Sequence, residues 1–109
     1  MTVQMLADTL NLKILAGENG LSQEIRGGYC GDLLSWVMGQ AKSQDVWLTV
    51  MGNINAVAVA SLADVACVLL CENAVLDDDA KAKADIAGIP VFVSEKPAFE
   101  LATEILPLL

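Results

Sequence analysis

The chain has 109 residues, of which 14 are acidic, 6 are basic and none is histidine, so its formal net charge is −8. This length is typical of one domain, and the acidic balance disfavours binding to nucleic acid or to an anionic membrane surface, where Lys and Arg supply the affinity. The absence of histidine excludes catalytic triads, Cys-His pairs and metal sites that use this side chain.

The chain is expected to be a cytoplasmic, folded protein. Its apolar content of 55% is too high for a disordered chain, and three cysteines are too few for a disulfide framework. Residues 1–10 lack the basic start of a signal peptide. Residues 46–63 carry no charge, but Gly52, Asn53 and Asn55 lie near their middle, so this stretch predicts a strand, a turn and a buried helix rather than a membrane span.

The first predicted elements are a helix and two strands. Apolar residues from Val3 to Leu10 follow helical spacing, and Thr2 is suited to cap that helix. Residues 12–16 and 24–29 are predicted strands, separated by a turn at residues 17–20. We expect these two strands to pair with each other.

Helices and strands then alternate. Asp32 is predicted to cap a helix whose apolar face holds Leu33, Leu34, Val37, Met38 and Ala41. A strand follows at residues 46–51, and Asn53 is predicted to cap the next helix, residues 54–62. Residues 65–71 are continuously apolar, which is typical of a parallel strand that is buried on both faces.

The last third repeats this order. Asp77, Asp78 and Asp79 favour a helix start, and Gly88 favours its end. A strand is predicted at residues 89–93, and a final helix after Pro97 is predicted to bury Phe99, Ala102, Ile105 and Leu106. Three successive strand-helix units predict a single α/β domain, residues 1–109, with a mainly parallel β-sheet flanked by helices and preceded by the N-terminal helix and strand pair.

No motif for phosphoryl transfer is present. A P-loop needs a Gly-Lys dipeptide, which the chain lacks, and the glycine-rich residues 27–32 do not have GxGxxG spacing. Two readings of this loop remain open: backbone amides that contact a ligand, or a tight connection from strand to helix. No pair of side chains suggests a general acid and base, so we predict no catalytic residue, metal site or cofactor.

Ligands of parallel α/β sheets bind beyond the carboxyl ends of the strands. The polar and glycine residues expected near that edge are therefore the candidate ligand-binding residues: Gly27, Gly28, Tyr29, Asp32, Gly52, Asn53, Asn55, Glu72, Asn73 and Ser94. The alternative is that these residues serve as helix caps, turn residues and solvated side chains.

The cysteines and one tryptophan leave further options open. Cys67 and Cys71 would lie about 13 Å apart on one strand, too far for a disulfide or a shared metal. A redox role for Cys30 or Cys71, which fall at strand ends, stays open. Trp36 lies on a helix whose apolar face is already wide, so we expect it to contact another subunit, in a homodimer.

Four segments resemble the DRTGG domain, a small α/β module. They are VWLTVMG at 46–52, ACVLLCEN at 66–73, AGIPV at 87–91 and AFELA at 98–102. The whole chain is also similar to the N-terminal domain of HPr kinase/phosphorylase and, more distantly, to that of Mur ligases. This sequence has Asn53-Ile54 in place of the family's Asp-Arg, and Cys71-Glu72-Asn73 in place of its Thr-Gly-Gly.

The resemblance implies a regulatory or sensing module, because the kinase activity of that family belongs to a separate P-loop domain. The expected function is binding of a small metabolite, such as a nucleotide, without catalysis. The alternative is a protein-interaction module that docks onto a metabolic or redox enzyme complex without a small ligand.

Overall fold

The computed structural model describes residues 1–109 and confirms the predicted α/β fold. The helices and strands, in chain order, are α1 Val3–Leu10, β1 Lys13–Ala16, β2 Gly27–Cys30, α2 Leu34–Gln40, β3 Asp45–Thr49, α3 Ile54–Ala63, β4 Cys67–Leu70, α4 Asp78–Ala87, β5 Val91–Val93 and α5 Ala98–Ile105. Short 3-10 helices occupy Glu18–Gly20 and Leu106–Leu108. The longest helices have 10 residues, and none has the length and apolarity that crossing a membrane requires.

The five strands form one sheet in the order β1-β5-β4-β3-β2. Strands β2 to β5 are parallel, and β1 runs antiparallel to β5. The predicted pairing of the first two strands is therefore wrong, since they lie at opposite edges of the sheet. The segment between them is held elsewhere: the carbonyl groups of Leu21 and Gln23 accept hydrogen bonds from Gln4 and Val3, and Ile25 N–H donates to Met1. These bonds attach the segment to the start of α1. The segment thereby connects β1, at one edge of the sheet, to β2 at the other.

Side-chain alternation in the strands divides the core into two layers. Val46 and Leu48 pack with residues of α1 and α5 on one face, whereas Trp47 packs with residues of α2, α3 and α4 on the other. All five residues of β3 are buried. A strand covered on both faces needs continuous apolar character, which explains the uncharged stretch that the sequence shows here.

Most predicted helix ends are confirmed. The side chains of Thr2 and Asn53 accept hydrogen bonds from backbone N–H groups in the first turns of α1 and α3, and Gly88 ends α4 with a φ of 68°. The predicted cap at Asp32 is wrong: α2 starts after Leu33, with no side-chain cap, and Val37 is its one buried residue.

The predicted buried face of α5 is partly wrong. Phe99 is 82% exposed and Leu106 is 72% exposed, whereas Leu101 and Ile105 are buried. Leu101 and Ile105 are four residues apart and share a helix face, and Phe99, two residues from Leu101, lies about 200° around the helix from it. The apolar residues of this helix therefore divide between the core and the surface.

Candidate functional site

The carboxyl ends of β2 to β5 meet at one side of the sheet, which we call the carboxyl edge. Backbone hydrogen bonds continue past the strands there: Cys71 N–H donates to Thr49 C=O at 2.9 Å, and Asn73 N–H donates to Ser94 C=O at 2.9 Å. These bonds order the residues that follow the strands. The backbone at the carboxyl edge is therefore held in place by hydrogen bonds.

Asp32 joins two of the strands at this edge. Its Oδ1 accepts hydrogen bonds from Thr49 Oγ1 at 2.8 Å and from Val50 N–H at 2.9 Å. Thr49 is buried, so the first of these bonds lies at the margin of the core. Asp32, predicted as a ligand-binding residue, therefore has a structural role in connecting β2 to β3.

The turn between β3 and α3 also has structural roles. Asn53 Oδ1 accepts the N–H of Ala56 at 2.8 Å as a helix cap. A Cβ atom at Gly52 would lie 1.9 Å from the carbonyl oxygen of Val75, so only glycine permits this approach of two loops. Asn55, in the first turn of α3, is exposed to solvent.

The glycine-rich loop is split between the two ends of the sheet. Gly27 pairs with the first residue of β3 and so lies at the amino end of β2, away from the carboxyl edge. A Cβ atom there would lie 2.7 Å from Asp45 Oδ1, which explains the glycine without a ligand. Gly28 is exposed within β2, and Tyr29 is half-buried, with its ring against Gly31. The structure places Gly27 with Gly28 and Tyr29 in a second groove at the amino end of β2, away from the predicted residues at the carboxyl edge.

A polar groove opens where β4 and β5 end. It has a volume of about 350 Å³ and is lined by Leu10, Asn11, Leu12, Lys13, Asn73, Val93, Ser94, Glu95 and Lys96. Two predicted residues, Asn73 and Ser94, belong to it. Glu72, also predicted, is exposed beside Asn73. Sequence reasoning missed the contribution of Asn11 and Lys13, because nothing local in the sequence indicates that β1 pairs with β5.

The groove combines donors and charges of both signs. Lys96 N–H donates to Ser94 Oγ at 3.2 Å, which leaves the Ser94 hydroxyl hydrogen free to donate. Lys96 Nζ lies 2.6 Å from Glu104 Oε1, and this hydrogen bond raises the pKa of the lysine above its usual value. Lys13 forms no ion pair. The ammonium of Lys13 is therefore the uncommitted positive charge of the groove.

The cysteines are free thiols. Burial raises the pKa of Cys67 to about 12, and burial together with nearby Cys30 and Asp32 raises that of Cys71 to about 11. Burial and the Asp32 charge also raise the pKa of Cys30. These raised pKa values disfavour thiolate chemistry at neutral pH. No group of three or more Cys, Asp and Glu side chains is arranged to hold a metal ion.

No family model matches the sequence, and no curated protein matches it. The resemblance to the DRTGG domain stays a prediction from the quoted segments.

Proposed function

We propose that the protein is a non-catalytic regulatory or sensing domain that binds a small anionic metabolite, such as a nucleotide, in the polar groove. The observation that carries this proposal is that Lys13, a lysine without an ion pair, lines the groove together with the donor groups of Asn73 and Ser94. An ammonium group without a carboxylate partner, beside neutral hydrogen-bond donors, favours an anionic ligand.

The dimensions and donors of the groove support this proposal. Ligand pockets have volumes of roughly 300–1,000 Å³ and a few convergent polar groups. The groove, at about 350 Å³, offers the amide of Asn73, the hydroxyl of Ser94 and the ammonium of Lys13. Together they can donate hydrogen bonds to the oxygens of a phosphate or a carboxylate.

The backbone beside the groove is also unusual. Glu72 and Asn73 both have a φ of 55°, in the left-handed region that non-glycine residues rarely adopt. For Glu72 this conformation costs about 1 kcal/mol or more, whereas asparagine adopts it more readily. The conformation is held by the backbone bonds of Glu72 to Lys96 and of Asn73 to Ser94. It sets Asn73 at the wall of the groove.

Thermal denaturation with AMP, ADP, ATP and phosphorylated sugars tests this proposal. A ligand at about one hundred times its dissociation constant should stabilise the wild type by about 2.7 kcal/mol. Lys13→Ala and Asn73→Ala should abolish that shift, whereas Lys83→Ala, an exposed lysine on α4, should keep it. Absence of a shift in the wild type, or an equal shift in all variants, would contradict binding at this groove.

The regulatory role and the location belong to the same proposal. The resemblance to the DRTGG domain supports a sensing module, and a cytoplasmic location is supported by the three free cysteines. The acidic chain offers no extended basic surface for nucleic acid.

A second candidate is a protein-interaction module that docks onto a metabolic or redox enzyme complex. It is favoured by Trp36, which is 65% exposed on α2 next to the exposed Leu33. Aromatic side chains of this kind are common anchors at interfaces. Pull-down with the wild type and Trp36→Ala tests it: the variant should lose the captured enzyme, and equal capture by both proteins would refute this anchor.

A further inference from the structure

The outer edge of β2 is the least protected part of the sheet. Strand β2 pairs with β3 and has no strand on its other side. Helices contact both edge strands, α4 at β1 and α5 at β2, but β1 also carries the charged Lys13 and a register irregularity between Ile14 and Ala16. Two residues of β2, Gly28 and Cys30, are exposed. An edge strand with unpaired backbone groups is a template for another strand unless charges or bulges block it.

We propose that two copies of this chain associate through this edge, with β2 pairing antiparallel to β2 of the second copy across a two-fold axis. The two sheets then continue as one sheet of ten strands. This interface is separate from the polar groove, which lies beside β1 and β5 at the far edge of the sheet. The inference therefore does not depend on the proposed ligand.

The charges near β2 favour a second copy as the occupant. Among residues 27–41 the one charged side chain is Asp32, although the chain carries 20 acidic and basic residues. Two strongly acidic chains can approach closely where their surfaces are uncharged. A basic partner would instead select the acidic surfaces elsewhere, such as the start of α4, where Asp78 and Asp79 lie in the first turn.

Antiparallel self-pairing also matches opposite charges. The basic residues Arg26 and Lys42 line a separate groove at the amino end of β2, which also includes Gly27 and Gly28, and Asp32 follows the carboxyl end of the strand. When β2 pairs with its own copy around Gly28 and Tyr29, the amino end of each strand lies beside the carboxyl end of the other. Arg26 then faces the region of Asp32 in the second copy, and the two-fold axis repeats this contact.

Apolar side chains flank the edge in both helical layers. Leu33 and Trp36 belong to α2 and the turn before it, and α2 is the end helix of its layer, beside α3. Leu106 and Leu109 line an apolar pocket of about 160 Å³ that also includes Gly28 and Cys30. These four apolar residues are between 46% and 72% exposed, so their burial can supply part of the roughly 800 Å² per partner that a stable interface buries. The backbone of β2 and its polar surroundings can contribute the remainder.

Gly28 gives a direct way to block the edge. A Cβ atom at this position would meet Val46 Cγ1 at 3.5 Å, an ordinary contact, and its φ is not in the left-handed region. The fold therefore accepts a side chain here, so Gly28→Lys should fold normally. Near the two-fold axis the two copies of position 28 lie close together on the same face of the joined sheet, so Gly28→Lys would bring two ammonium groups together and oppose pairing.

Sedimentation equilibrium over a wide range of protein concentrations tests the proposal. The wild type should have the mass of two chains, and Gly28→Lys should have the mass of one chain with an unchanged circular dichroism spectrum. Ile86→Lys is the matched control, because Ile86 is 90% exposed on α4, away from β2, and this variant should remain a dimer. Arg26→Glu should raise the dimer dissociation constant by about tenfold, since it places like charges together twice.

Three results would overturn the proposal. A wild type that sediments as one chain at all concentrations would show that the edge has no second copy as its occupant. A dimer that persists in Gly28→Lys, or that Ile86→Lys disrupts equally, would place the interface elsewhere.

Discussion

The hydrogen bond between Thr49 and Asp32 should contribute measurably to stability. Thr49 is 2% exposed, its Oγ1 donates to Asp32 Oδ1 at 2.8 Å, and the same oxygen accepts the N–H of Met51 at 3.2 Å. Thr49→Val keeps the shape and removes both bonds. A hydrogen bond to a charged group contributes about 1.5–3 kcal/mol, and the Met51 N–H loses its partner as well. We expect the free energy of unfolding to fall by about 2–3 kcal/mol.

The loss should be visible in simple denaturation experiments. For a domain of this size it corresponds to a decrease in Tm of about 10 °C, which circular dichroism can follow. Thr103→Val is the matched control, because the Thr103 hydroxyl donates to Glu100 C=O at an exposed position on α5. Its expected effect is within about 0.5 kcal/mol of zero.

A double-mutant cycle then assigns the loss to the pair. Asp32→Ala should be destabilising alone and should cost less in the Thr49→Val background, with a coupling energy of about 1–2 kcal/mol. A Thr49→Val variant as stable as the wild type would refute this reasoning. A coupling energy near zero would refute it too, and Asp32 would then be available to a ligand.

Two further predictions concern Gly52, with Gly39 as its control, and Asp85. Gly52→Ala should destabilise the protein by about 3 kcal/mol or more in urea denaturation, because the new Cβ would meet the Val75 carbonyl oxygen at 1.9 Å. Gly39→Ala, in α2 with no atom near its Cβ, should instead stabilise by about 0.5–1 kcal/mol, and equal effects of the two variants would contradict the packing argument. The Gly17 N–H, which donates to Asp85 at 2.8 Å, lowers the pKa of that carboxyl group. The stabilisation by this hydrogen bond is present above the unfolded pKa of about 4 and is lost as the pH falls through the lower folded pKa. The wild type should therefore have a higher Tm than Asp85→Asn at neutral pH, and this difference should shrink in acid. A difference in Tm that does not change with pH would refute this prediction.

The candidate site shows where sequence reasoning worked and where it failed. Asn73 and Ser94 were predicted because both follow apolar strands, and parallel strands bring their carboxyl ends to one edge. Asn11 and Lys13 could not be predicted in the same way, since they reach the groove through the antiparallel pairing of β1 with β5. That pairing joins residues about eighty positions apart, and no local pattern specifies it.

The glycines illustrate a second difference. A glycine-rich segment is compatible with a ligand loop or with tight packing, and residue type alone does not separate these possibilities. At Gly27 and Gly52 the reason for glycine is a neighbouring group, the Asp45 carboxylate in one case and the Val75 carbonyl in the other. At Gly28 no neighbour requires glycine, which is why a variant there can probe the free edge.

The sequence by itself determined the types and order of the elements, the helix caps at Thr2 and Asn53 and the mainly parallel sheet. These features depend on residues within a few positions of each other, through hydrophobic periodicity and capping. Only the tertiary structure decided which strands lie at the edges, what Asp32 binds and which side chains share the groove. Those features depend on which strands pair with each other. Residues far apart in the sequence make these pairings, and the packing of the whole domain determines them.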